Sequence, residues 1–306
     1  MSTTIVLQQM GVIIILVAIG IFLYKRSIID DHTSRKLSAV VMDVCNPAII
    51  LASMLSGNIT ASHKDIIVAL ILGAAFYGFL VLLGFIFPYI VRCDKDSRRF
   101  YNIMNVYTNV GFIGIPVARA ILPDNAFLYV VVCNVMYSLL FYTHGIIILG
   151  NGKEKMNLLK VFSPGTIMAI LSLIVFWFNL KLPVVFASCI SYIGNANVFL
   201  SMTLLGVGIA RSGLANGIKN IRIWIYIIVR MILVPVLIFF ILRALDFPSV
   251  TILGLCLMAA MPIGNLPLIQ SEKMGEDTEL LSNAIAITTL MSIITITALM
   301  TFFSYF

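Results

Sequence analysis

Side chains able to bind a small polar ligand are scarce in this chain, and most stand beside two interruptions in apolar stretches. Asn105, Thr108 and Asn109 precede the run Gly111-Phe-Ile-Gly114-Ile-Pro116, and Asn265 and Gln270 follow the run Met261-Pro262-Ile263-Gly264. Each run lies midway along an apolar segment, Phe100 to Leu122 and Ser249 to Ser271, long enough to cross a bilayer as a helix. Gly111 and Gly114 weaken a helix there, and Pro116 removes the hydrogen bond to the Phe112 carbonyl and clashes with it. Pro116 is nevertheless a good first residue for a new helix. The expectation is a spanning helix broken at mid-depth with its second half starting at Pro116, and a second such break around Pro262.

A break in hydrocarbon strands carbonyls at the end of one half-helix and amides at the start of the next, each costing several kcal/mol if unpaired. Two breaks crossing at mid-depth would set two positive half-helix N-termini side by side, where an anion is held without a full positive charge. The amides Asn105, Asn109, Asn265 and Gln270, with Thr108, fit that task; capping the broken ends is their alternative use. No Asp or Glu occurs between Arg99 and Asp124 or between Ser249 and Ser271, which favours an anionic or neutral ligand over a cation. The expected substrate contacts are Asn105, Thr108, Asn109, Gly111, Gly114, Pro116, Pro262, Gly264, Asn265 and Gln270.

Four further side chains carry charge or a titratable ring into apolar segments. Arg230 lies about ten residues into its span, where a charge costs about 2.5 to 3.5 kcal/mol on insertion scales. It either neutralises a substrate carboxylate or serves the fold, filling carbonyls freed by Pro235 or pairing with Asp43. Asp43 is the one acid well inside a span and a candidate for a coupling proton, with pairing to Arg35 or Lys36 as the alternative. His144 could relay protons or simply be a hydrogen-bonded or interfacial histidine. Arg119 is expected to snorkel to the outer surface, and Tyr107 and Tyr137 to pack rather than touch ligand.

The elements that must position these residues are membrane helices. Hydrophobic residues make up 61% of the 306 and charged ones 11%, against about 45 to 50% and about 25% in soluble domains. The fold class is therefore all-α integral membrane, since the apolar segments are continuous rather than alternating. The +7 charge comes from bases scattered through short loops, so it reads as topology and not as nucleic-acid binding. The five cysteines have no metal-ligand spacing and read as small buried apolar residues, with no metal and no disulfide expected.

Ten spans are expected near 4–24, 36–55, 65–91, 100–122, 125–149, 162–181, 184–210, 220–243, 249–271 and 279–303. The first is no cleavable signal, because Lys25 and Arg26 follow its apolar run instead of preceding it. Counted over loops and adjacent span ends, 15 bases fall on the odd-numbered side and 4 on the even. This bias puts the odd loops in the cytoplasm and both termini outside. The basic stretch Asn151 to Lys160 divides the chain into a first repeat at 1–150 and a second at 160–306. Five spans in each make the repeats inverted, and the breaks, with prolines 262 − 116 = 146 residues apart, fall in helices 4 and 9.

The stretch Asn109 to Pro116, together with Met261 through Ile296, resembles the auxin efflux carrier family of plants and prokaryotes, and the order of elements agrees over essentially the whole chain. Pro262, Asn265, Gly275, Thr289 and Ser292 make the more specific part of the match. The resemblance implies a bile acid/auxin carrier-type fold, with helices 1, 2, 6 and 7 as a scaffold part and helices 3 to 5 and 8 to 10 as a transport part. It also implies an elevator-like movement, a homodimer, and organic anions as substrates, among them indole-3-acetate, malate and malonate. Asn109, Pro116, Pro262 and Asn265 take the crossing and substrate-contact roles by matching position. The long central loop of many plant members is absent, with only about ten residues there, so neither loop phosphorylation nor auxin itself is implied.

The sequence thus reads as a secondary transporter of small organic anions in the plasma or inner membrane, with a proton or sodium as the coupling ion and no other cofactor. A sodium/proton antiporter or sodium-coupled carrier on a related fold is the alternative, and a non-transporting receptor a further one. An enzyme is not expected: a membrane aspartyl protease needs two facing acids, and no His-Glu-x-x-His or Gly-x-Ser-x-Gly pattern occurs.

Overall fold

Long apolar runs in which every backbone group must be satisfied internally become helices, and helices are what the computed structural model contains. It describes residues 3–55, 60, 62–150, 162, 164–178, 180–211, 214–274 and 276–305. The basic stretch Asn151 to Lys160 and Gly275 lie outside these. In chain order the helices are α1 (Thr3–Lys25), α2 (Asp31–Leu55), α3 (His63–Ile90), α4 (Arg98–Val106), α5 (Val110–Ile121), α6 (Asp124–Leu149) and α7 (Pro164–Trp177). There follow α8 (Val184–Arg211), the short α9 (Leu214–Lys219), α10 (Ile221–Ala244), α11 (Ser249–Ala259), α12 (Asn265–Lys273) and α13 (Glu279–Tyr305).

Seven of these, α1, α2, α3, α6, α8, α10 and α13, are long and apolar enough to cross a membrane. The fourth and ninth expected spans are instead two pieces each, α4 with α5 and α11 with α12, because both interruptions end a helix. The sixth is the 14-residue α7. The second helix starts earlier than expected, at Asp31, where the Asp30 side chain accepts the Thr33 N–H at 2.7 Å and caps it. That bond holds the Asp30 carboxyl below its ordinary range.

Among the described residues four helices contain a widened π-helical turn: Val41–Cys45 in α2, Val110–Gly114 in α5, Phe141–Gly145 in α6 and Ile227–Leu233 in α10. Three end two residues before a proline, at Pro47, Pro116 and Pro235. Proline has no N–H and its ring crowds the carbonyl four residues back, so the preceding turn widens. The turn in α6 has no proline after it.

Helix α1 packs along α8, and α2 along α7 and α8; α3 lies on α4 and α6, α10 on α11, and α13 against α1, α9 and α10. The α1 and α8 backbones touch at Gly20 and Gly206. A Cβ on Gly20 would overlap the Thr203 carbonyl oxygen, and one on Gly206 that of Val17. The buried core centres on α4, α6 and α11, whose side chains Ile103, Met104, Val130, Cys133, Leu257 and Met258 are fully enclosed. Large apolar side chains such as Ile15, Leu82, Val184 and Phe240 point outward, as a lipid-facing surface requires.

All five cysteines are free thiols, with Cys93 buried and Cys189 exposed. Four are buried as expected, and Cys189 is the one that departs from the reading of all five as buried residues. At helix ends, Arg99 forms a two-armed ion pair with Glu276, one arm at 2.9 Å, and also donates to the Leu149 carbonyl at 2.7 Å. Arg119 pairs with Asp124 at 2.6 Å rather than reaching outward alone.

Candidate binding site where two interrupted helices meet

The break between α4 and α5 is shorter and earlier than the glycines suggest. Helix α4 stops at Val106, three residues lie outside any helix, and Gly111 and Gly114 already lie in the π-helical turn that opens α5. The Asn109 side chain explains the restart: its Oδ1 accepts the Phe112 N–H at 3.2 Å, in the manner of a helix cap. Pro116 then sits in the first turn of the regular α-helix from Ile115. The second break runs from Ala260 to Gly264, and α12 begins at Asn265.

The two breaks meet. Thr108 and Ile263 form an antiparallel bridge, with the Asn109 N–H donating to the Pro262 carbonyl at 2.8 Å and the Gly264 N–H to the Tyr107 carbonyl at 3.0 Å. Breaking two helices therefore costs little at these atoms, because each break supplies the other's partner. Only glycine fits at 264, where a Cβ would lie 2.9 Å from the Thr108 carbonyl oxygen. Gly114 lies close to α11, its Cβ position 3.3 Å from the Met258 methyl.

The carbonyl ends of α4 and α11 are satisfied by α10. Arg230 is fully buried; its Nε donates to the Asn105 carbonyl at 2.8 Å and its Nη1 to the Ala259 carbonyl at 2.5 Å. One turn earlier the Tyr226 hydroxyl donates to the Met104 carbonyl at 2.7 Å. Two helix C-termini carry about half a negative charge each, so one guanidinium balances both. Of the uses open to Arg230, the structure shows neither Pro235's freed carbonyl nor Asp43 as its partner. Asn105 belongs to this closed end too, its Nδ2 donating to the Tyr101 carbonyl at 2.8 Å.

What stays partly exposed is the amide side: Gly111 and Phe112 at the start of α5, Asn265 and Leu266 at the start of α12. Gly111 faces α2, where a Cβ would lie 3.4 Å from Asn46 Nδ2. Asn46 is buried and accepts a hydrogen bond from Asn197 of α8, which in turn accepts one from Ser201 at 3.2 Å. Sequence reasoning passed over these three. Their signal was present, since Asn46 and Asn197 stand 151 residues apart, near the spacing of the two prolines. Gln270 lies half-buried along α12, and Asp43 lies exposed in the π turn of α2; no hydrogen bond or ion pair among the described residues ties either to the meeting point.

The meeting point also reaches α6. The Tyr107 hydroxyl lies 2.9 Å from both the Leu140 carbonyl and His144 Nδ1, and its ring meets Tyr137 edge-on at 5.5 Å. Tyr107 and Tyr137 are buried packing residues, and His144 is bonded rather than alone.

Paired interruptions inside an apolar helical bundle are a feature of membrane transporters built with broken helices. The model of the membrane transport protein family, of the auxin efflux carrier type, matches residues 5–160 and 151–300, and the chain belongs to that family. It is therefore a multi-pass membrane transport protein. It is also 26% identical over 300 residues to an uncharacterized transporter of Methanocaldococcus jannaschii, covering 93% of this chain and 94% of the relative.

Proposed function

We propose that the protein is a secondary transporter of small organic anions, carboxylates in particular, held at the amide starts of α5 and α12. The observation behind this reading is the division of labour at the breaks. Arg230 and Tyr226 occupy the carbonyl ends, while at the amide ends Gly111 and Asn265 stay partly exposed beside the buried Asn109, with no carboxylate among them. Positive helix ends without acids suit an anion. In this reading the chain is two inverted five-helix repeats whose broken helices cross at that point. Helices α1, α2, α7 and α8 form a scaffold on which the remainder slides, elevator-fashion, in each subunit of a homodimer. Flux is coupled to a proton or sodium, and Asp43, exposed and without an ion pair among the described residues, is the candidate to take the cation.

The test is charge movement in proteoliposomes when mono- and dicarboxylates are jumped onto one side, with and without sodium and at two pH values. We expect a saturable current or counterflow with at least one acid, reduced at least tenfold by Asn265→Ala and by Asn109→Ala in protein that still purifies as a folded species. Full activity in both variants would refute the assignment.

A further inference from the structure

Among the four π-helical turns, the one in α6 is the one that no proline explains, and it carries His144. Widened turns of this kind recur at functional sites. Hydrogen-bond arithmetic points to one state of the ring. The Leu140 carbonyl can only accept, so the one hydroxyl proton of Tyr107 goes to it at 2.9 Å. With the proton placed there, the Tyr107 oxygen is the acceptor toward His144 Nδ1, also at 2.9 Å, and Nδ1 carries the imidazole proton. That leaves Nε2 as a bare lone pair, and Nε2 is buried with no hydrogen-bond partner among the described residues. Across from the ring stands Phe85 of α3, edge-on at 6.0 Å.

We propose that His144 is a proton-binding site, loaded at Nε2 and joined through Tyr107 to the meeting of the two breaks. Binding forms one N–H bond on the lone pair and breaks none, and the proton leaves by the reverse step. Protonation adds a buried charge and a donor without an acceptor, which is costly. The loaded form is therefore favoured only in an arrangement that brings Nε2 to water or to an acceptor. Tyr107 transmits the difference, because its hydroxyl holds the histidine while its carbonyl accepts the Gly264 N–H.

The other titratable or charged groups on the surrounding elements do not compete for the role. Tyr137 and Tyr142 share the helix, and Tyr89 on α3 lies under Arg98 at 4.9 Å. The Arg99–Glu276 pair closes on the Leu149 carbonyl, five residues and about 7.5 Å of helix from His144. No carboxylate among the described residues pairs with the ring.

This site deepens the carboxylate reading by naming its coupling ion, but it can be tested apart from it. The chain has three histidines, so ¹⁵N-histidine NMR of the full-length protein in lipid nanodiscs, assigned by loss of one signal set in His144→Asn, reads the ring directly. We expect the neutral ring to be protonated at Nδ1 and bare at Nε2, and to take up a proton between pH 5 and 9. An Nε2–H neutral form, or no titration in that range, would overturn the site whether or not any carboxylate is carried. Tyr107→Phe keeps the ring packing and removes the acceptor, so the Nδ1–H preference should be lost. In proteoliposomes, malate or malonate accumulation driven by a pH gradient should fall at least tenfold in His144→Asn while counterflow is slowed but detectable. Wild-type levels of gradient-driven accumulation in that variant would reject the coupling. If no acid is carried by the wild-type protein, the carboxylate reading falls and the NMR result alone decides His144.

Discussion

At the scale of single residues, Arg230 shows how a charge becomes tolerable in an apolar interior. Its guanidinium is fully buried with no carboxylate partner among the described residues, and two helix C-termini supply the negative charge instead. A lysine has the charge but not the planar fork that reaches Asn105 and Ala259 at once. Arg230→Met leaves two buried carbonyls unpaired, and a buried acceptor left unsatisfied costs about 1 to 3 kcal/mol. We expect the variant to lose thermal stability by roughly that amount in detergent, with Arg230→Lys between it and the wild type. A methionine variant as stable as the wild type would mean that the clamp contributes nothing. Its sequence signal was ambiguous for a physical reason: a lone arginine in a span announces an unusual negative partner, but backbone carbonyls have no letter in the sequence.

Elements were more legible than partners. Spans follow from apolar length, and seven of the ten expected coincide with helices long and apolar enough to cross a membrane. What the sequence blurred was where each break falls. Gly111, Gly114 and Pro116 advertise an interruption, yet the chain leaves the helix at Tyr107, because Asn109 caps the restart and a π turn absorbs the proline. Partner choice between helices was less visible still, since nothing in a glycine says which backbone comes near. The contact of α1 with α8 at Gly20 and Gly206 is such a case, and it belongs to the small-residue packing that holds membrane helices together. Gly20→Val or Gly206→Val must push the two backbones apart. Either should cost about 1 to 3 kcal/mol by overpacking and lower the melting temperature, whereas Gly11→Val, with open space around it, should not. Equal effects at all three sites would show that lost glycine flexibility, rather than the contact, is responsible.

Over the whole molecule the governing asymmetry is charge. Bases crowd the loops that follow α1, α3 and α8, while the turn between α5 and α6 holds Asp124 paired with Arg119. If the membrane orients the chain by those bases, Asp96 and Asp246 lie on opposite faces, Asp96 inside and Asp246 outside. Cysteines placed singly at these two exposed turns, in a background whose exposed Cys189 is replaced by serine, can be probed in intact cells with a membrane-impermeant maleimide. Asp246→Cys should label at once and Asp96→Cys only after the membrane is opened. The reverse pattern would invert the orientation, and with it the side from which a proton reaches His144. That residue lies near the end of α6 where Arg99 and Glu276 close over Leu149, so with Asp96 inside, the histidine is loaded from the cytoplasmic side.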